Sequence, residues 1–177
     1  MKEWIEKAVE IGFNTAVQLD PQMLVARADI RAMCAADKCG AYHKNWTCPP
    51  VIGTVGECQQ KMQQYGHGIL VQTIGHMQKT VDSKCYRETE QRHLQQLYAL
   101  FEEIRRVHPD ALCLGAGGCR VCGQCAYPQP CRFPEKALGS MEGYCIDVYK
   151  TVKGTELKYI NGENTVTYFG IVLFKEA

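Results

Sequence analysis

The 177-residue chain reads as an α/β protein, a central mixed β-sheet with one βαβ crossover, flanking helices and two cysteine-rich metal-binding loops. Three observations predict this. A strand-like run, a long amphipathic segment and a second strand-like run follow one another at residues 69–74, 82–108 and 111–114, an order that favours a right-handed crossover with its two strands parallel. The last strand candidate, from Thr165 to Phe174, carries apolar side chains on both faces, Val172 and Phe174 against Ile171 and Leu173, as a central strand does. The cysteines concentrate between Cys34 and Cys48 and between Cys119 and Cys131, outside those runs.

Each element has its own signal. An amphipathic helix carrying Trp4, Ile5, Ala8 and Val9 opens the chain and stops near Gly12. Thr54 and Glu57 have capping-box spacing, and Val55, Cys58, Met62 and Tyr65 then recur on one helical face before Gly66. Residues 69–74 form a buried strand. The longest helix follows, with Leu94, Leu97, Tyr98, Phe101 and Ile104 as its buried stripe and Pro109 marking its end. The strand at 111–114 runs through Gly115-Ala116-Gly117-Gly118 into Cys119, so the second cysteine group should leave the carboxyl end of a strand, where α/β sheets place ligand sites. A glycine run that leads into cysteines lacks the context of a dinucleotide loop; its bare N–H groups suit close approach to cluster sulfurs. Ser140 is expected to cap a helix with Met141, Tyr144, Cys145, Val148 and Val152 on its apolar face, ended by Gly154. Residues 157–160 are expected to pair with the final strand through the turn-rich 161–164.

Composition narrows the classes. One domain, 1–177, is expected, because 46% hydrophobic residues suffice for a core without disulfide staples. The amino end mixes charges with apolar residues, which argues against a secretory signal. No stretch is long enough to span a membrane. A net charge of +1 without a basic, aromatic-interleaved stripe argues against nucleic acid. Eleven cysteines in an apparently unsecreted, cytoplasmic chain point to metal or redox chemistry rather than a disulfide framework.

The run Cys119-x2-Cys122-x2-Cys125-x5-Cys131 curls so that successive sulfurs point into one concavity, which suits an iron–sulfur cluster. Zinc, the alternative, prefers two thiolate pairs separated by a longer loop, and it can replace a cluster lost during aerobic purification. Cys34-x4-Cys39-x8-Cys48 stands 71 residues upstream, counted from Cys48 to Cys119, and is followed by Pro49-Pro50, which should present Cys48 from a stiff segment. Its three thiols need a fourth ligand, for which His43 is a candidate, or leave one iron open. Cys131 could complete its own loop or cross over to the first group. The two groups are expected to meet in space. Cys58, Cys145 and Cys113 read as core residues, Cys85 sits in the first turn of the long helix, and His67, His76, His93 and His108 read as surface or satisfied residues.

The segments 34–42, 46–50 and 119–128, together with 130–136 and Ser140-Met141-Glu142, resemble a prokaryotic family of predicted metal-binding proteins that carries only a domain-of-unknown-function name, over roughly Asp29 to Leu173. The resemblance implies metal binding at Cys34, Cys39, Cys48, Cys119, Cys122, Cys125 and Cys131, and no particular reaction. The family's pattern has glycine where this chain has Cys145, which implies that Cys145 is not an inherited ligand.

Three function classes follow. The first is a redox or electron-transfer protein with one or two [4Fe-4S] clusters, a redox partner protein, and Arg120, Arg132 and Lys136 offsetting cluster charge. The second is an enzyme or activase with an open-site [4Fe-4S] cluster, in which Glu135, Glu142 or Tyr127 could move protons, although surface or capping roles are their simpler reading. The third is a structural zinc-binding interaction module.

Overall fold

Two ten-residue strands, β2 (His67–His76) and β5 (Thr165–Phe174), pair antiparallel along their whole length. The structure, a computed structural model, describes residues 1–175. Three shorter strands extend this pair on its two sides. The short β1 (Thr15–Leu19) lies antiparallel to β2. On the other side β3 (Leu112–Gly115) lies antiparallel to β5, and the two-residue β4 (Gly139–Ser140) lies parallel to β3.

Alternation along the central strands makes two cores. Ile69, Val71, Val172 and Phe174 pack under Leu97, Leu100, Phe101 and Ile104 of α4 (Ser83–Val107) and Ala8 of α1 (Lys2–Ile11). On the opposite face Leu70, Ile171 and Leu173 meet Cys58 and Met62 of α3 (Val55–Met62) and Val152 of α5 (Val148–Lys153), with Met141, Tyr144 and Ile146 from the preceding turn. The remaining helix, α2 (Ala28–Ala35), buries no residue. Among the described residues no helix is long and apolar enough to cross a membrane.

The end signals expected for α1 and α3 operate. Gly12 closes α1 at φ 113. Thr54 and Glu57 form a reciprocal capping box on α3, and Asp82 caps α4 through the Cys85 N–H.

The crossover differs from its simplest form. Both β2 and β3 run antiparallel to β5, so they are parallel to each other, yet β5 lies between them. The two-faced apolar character of β5 explains this, since only an inner position buries both faces.

Two expected elements are absent as such. Ser140 belongs to β4 and Asp147 caps α5, accepting from the Lys150 N–H. Residues 141–145 turn instead, with the Ser140 hydroxyl accepting from the Gly143 N–H at 2.9 Å and Cys145 at φ 65, a conformation no α-helix contains. Residues 157–160 form no strand, because β2 and β3 already occupy both edges of β5. Strand β1 and helix α2 had no counterpart in the expected elements.

Helix α4 lies close to the sheet because glycines face it. A Cβ on Gly170 would meet both Leu97 methyls at 3.0 Å, and one on Gly75 would collide with the Thr89 hydroxyl and sit 3.0 Å from the Thr89 Cβ. Gly75→Ala is therefore expected to push α4 off β2 and lower stability by about 1–3 kcal/mol. A urea midpoint unchanged from wild type would contradict this packing.

Candidate metal centre

The first cysteine group begins on α2. Cys34 is half-buried one residue from the helix end, and its thiol faces the Glu142 carbonyl at 3.7 Å. The chain then turns sharply, with Asp37 at φ 49 and Gly40 at φ 71. The Asp37 carboxylate holds this turn by accepting from the Tyr42 N–H and the Lys44 ammonium, both at 2.9 Å. Cys39 is exposed at its tip. Cys48 is buried at 7% exposure. It comes from a turn rather than from an extended stretch: its N–H donates to the Asn45 carbonyl, and the His43 N–H donates to the Pro49 carbonyl at 2.8 Å.

The second group fills the connection from β3 to β4. Cys119, Cys122, Cys125 and Cys131 are all half-buried and line one cavity with Val121, Ala126 and Phe133. Helix α4 ties this loop down at several places. Arg120 pairs with Glu90 at 3.0 Å, the Tyr98 hydroxyl donates to the Lys136 carbonyl at 2.9 Å, and Arg105 donates to the Glu135 carbonyl at 2.9 Å. Arg132 spans the loop to the Gln124 carbonyl. Two cations expected to offset a cluster's charge thus serve as struts for the loop.

The two groups meet. The Thr47 hydroxyl accepts from the Cys119 N–H at 3.3 Å, the Asn45 amide donates to the Cys119 carbonyl at 3.5 Å, and the Trp46 indole donates to the Gln129 carbonyl at 2.8 Å. Tyr127 packs edge-on to Trp46 at 5.0 Å and tilted against His43 at 5.7 Å. A Cβ added at Gly118 would lie 3.3 Å from the Cys48 sulfur. That glycine is what lets the second loop approach Cys48, the close backbone approach expected of the run before Cys119.

Electrostatics separate the thiols. Burial, then the neighbouring Cys39 and Cys34, raise the Cys48 pKa to about 11. Burial likewise raises Cys34, with the Arg31 guanidinium opposing it. Cys113 is a core residue at 3% exposure, and burial pushes its thiol up. Cys58 is buried in the core. His93 is wholly buried on α4, shares a 2.9 Å hydrogen bond with the Thr73 hydroxyl, and is held near pKa 4 by burial, with the Phe169 backbone opposing.

Of the remaining candidates, Glu135 is exposed, whereas the Glu142 carboxylate lies near Cys34 with its Oε2 buried and, among the described residues, without a hydrogen-bond partner. Arg31 and Asn45 were not singled out by sequence, Trp46 and Thr47 entered only within the segment 46–50 that carries the family resemblance, and Tyr98 only in the buried stripe of α4.

Among the described residues no group of three or more His, Cys, Asp or Glu side chains could hold a metal ion as it stands. The loops gather the thiols without closing them on a point. As donors they are uniformly soft, the set that suits iron–sulfur clusters or zinc rather than magnesium or calcium.

The chain matches the family described as predicted metal-binding proteins (DUF2284) over residues 17–174, and it belongs to that family. No curated protein and no solved structure matches it.

Because folding raises the Cys48 pKa from 9.0 to about 11, it favours the thiol form. That contribution is intact below about pH 9 and is lost as the pH rises through about 11. Metal-free protein should therefore unfold at lower denaturant at pH 10.5 than at pH 8, and Cys48→Ser should lessen the difference. In native alkylation read by mass spectrometry, of the seven candidate ligands exposed Cys39 should react first and buried Cys48 last; the reverse order would contradict this arrangement.

Proposed function

We propose that this member of the predicted metal-binding family is a cytoplasmic iron–sulfur protein with a redox or electron-transfer role. Cys34, Cys39, Cys48, Cys119, Cys122, Cys125 and Cys131 are its ligands, for one or two [4Fe-4S] clusters. The observation that supports this most is the seam between the loops, where Thr47 meets Cys119 and four thiols share one cavity. An overlapping C-x2-C-x2-C run suits a cluster better than one tetrahedral ion.

A cluster bound there supplies one-electron chemistry. The chain's own residues set its surroundings. Val121, Ala126, Phe133 and Trp46 line the cavity of the second thiol group, and the Thr47 hydroxyl fixes the Cys119 backbone. The half-buried thiols lie near the surface, close enough for a redox partner protein to exchange electrons without a substrate pocket.

A second reading, an enzyme or activase with an open-site cluster, draws on Glu142. Its buried, unpartnered carboxylate oxygen beside Cys34 is the group best placed to accept a proton there.

Protein purified without oxygen should be brown, carry iron and acid-labile sulfide in equal amounts, and give an EPR signal on reduction. Cys122→Ser should lose at least half of that iron. Stoichiometric zinc without sulfide in the anaerobic preparation would overturn the iron–sulfur reading.

A further inference from the structure

Helix α2 is held in an unusual way. An eight-residue helix that buries no side chain has little to keep it docked. Arg31 supplies the attachment: its Nε donates to the Cys145 sulfur at 3.2 Å, and its Nη2 donates to the Cys58 sulfur at 3.4 Å and the Gly143 carbonyl at 3.3 Å. Three residues on, the Cys34 thiol faces the Glu142 carbonyl at 3.7 Å. Arg31 and Cys34 therefore reach the same turn, residues 141–145, from one side of α2.

Cys145 sits at the end of that turn, 0% exposed and at φ 65. The left-handed region strains a residue that bears a side chain, and glycine would avoid that strain. A thiol is nevertheless placed there, with the Arg31 guanidinium nitrogen 3.2 Å from its sulfur. The same turn carries Glu142, whose Oε2 is a buried acceptor without a partner among the described residues.

We propose that Cys145 is the fourth thiolate of the Cys34, Cys39 and Cys48 group, with Arg31 as its charge partner, so that the chain offers eight thiolates to two closed clusters. The proposal rests on the iron–sulfur reading above. Cys34 is the link, because its thiol faces the Glu142 carbonyl of the turn that carries Cys145, and Arg31 joins that turn to the same helix. Gly118 in turn brings the second loop up to the Cys48 sulfur. Ligation releases the thiol proton to solvent as the iron–thiolate bond forms. Cys58 shares Arg31 but packs with Met62 and Tyr65 in the core, and it serves as the matched control. With every iron capped, the site is one for electron transfer rather than for substrate binding.

The test compares wild type, Cys145→Gly, Cys34→Ser and Cys58→Ser after anaerobic reconstitution with iron and sulfide, reading metal and sulfide per chain and the reduced EPR spectrum. Glycine suits φ 65, and circular dichroism and thermal melting of each metal-free variant confirm that it folds. Wild type should carry about eight irons; Cys145→Gly and Cys34→Ser should each lose half or more, with loss of one EPR component, while Cys58→Ser keeps its iron. Full iron and an unchanged spectrum in Cys145→Gly would overturn the assignment. If wild type holds zinc and no sulfide, the iron–sulfur reading fails by itself; the zinc content of Cys145→Gly then decides the ligand, a fall supporting Cys145 and no change overturning it. A wild type that binds neither metal overturns both.

Discussion

A loop rich in thiols has little apolar surface to bury, yet its backbone amides and carbonyls still need partners. That constraint is met at the seam between residues 45–47 and the start of the second cysteine loop. Asn45, Trp46 and Thr47 give two donors and one acceptor to the backbone of Cys119 and Gln129, and Tyr127 packs against Trp46 over the join. Without those bonds the second loop would be held by α4 alone and the first by α2. With them, two groups far apart in the chain become one region.

The sheet sets where this seam lies. Helix α4 spans β2, β5 and β3 and returns the chain to the edge where β3 ends. It then holds the second loop through Glu90, Tyr98 and Arg105. One helix thus serves both as cover for a core face and as the frame on which the cysteine loop is stretched. Its close seating depends on Gly75 and Gly170, so the spacing of the loop and the packing of the core are set by the same contacts.

At helix α2, polar contacts replace apolar packing. Helix α2 is fixed by Arg31 reaching two sulfurs and a carbonyl, and by the backbone bridge between Ala26 and Ile146 nearby. A guanidinium among thiols is both an anchor and a source of positive charge. The first cysteine group is therefore built on a weakly packed helix with a strong electrostatic tether, unlike the second, which hangs from the best-packed helix in the fold.

The sequence by itself determined what depends on local pattern. The capping box at Thr54, the stop at Gly12, the stripe Leu97, Phe101 and Ile104, and the two-faced apolar run of β5 were legible because period and end chemistry are written in adjacent residues. The cysteine spacings and the family were legible for the same reason. Only the tertiary structure decided that β5 separates the crossover strands, that residues 157–160 find no free sheet edge, and that Cys145 lies on a left-handed turn beside Arg31 instead of along a helix face. Those outcomes depend on competition for positions among elements distant in the chain. Helix α2 stayed hidden because a helix held by a guanidinium and not by an apolar face leaves no hydrophobic period to read.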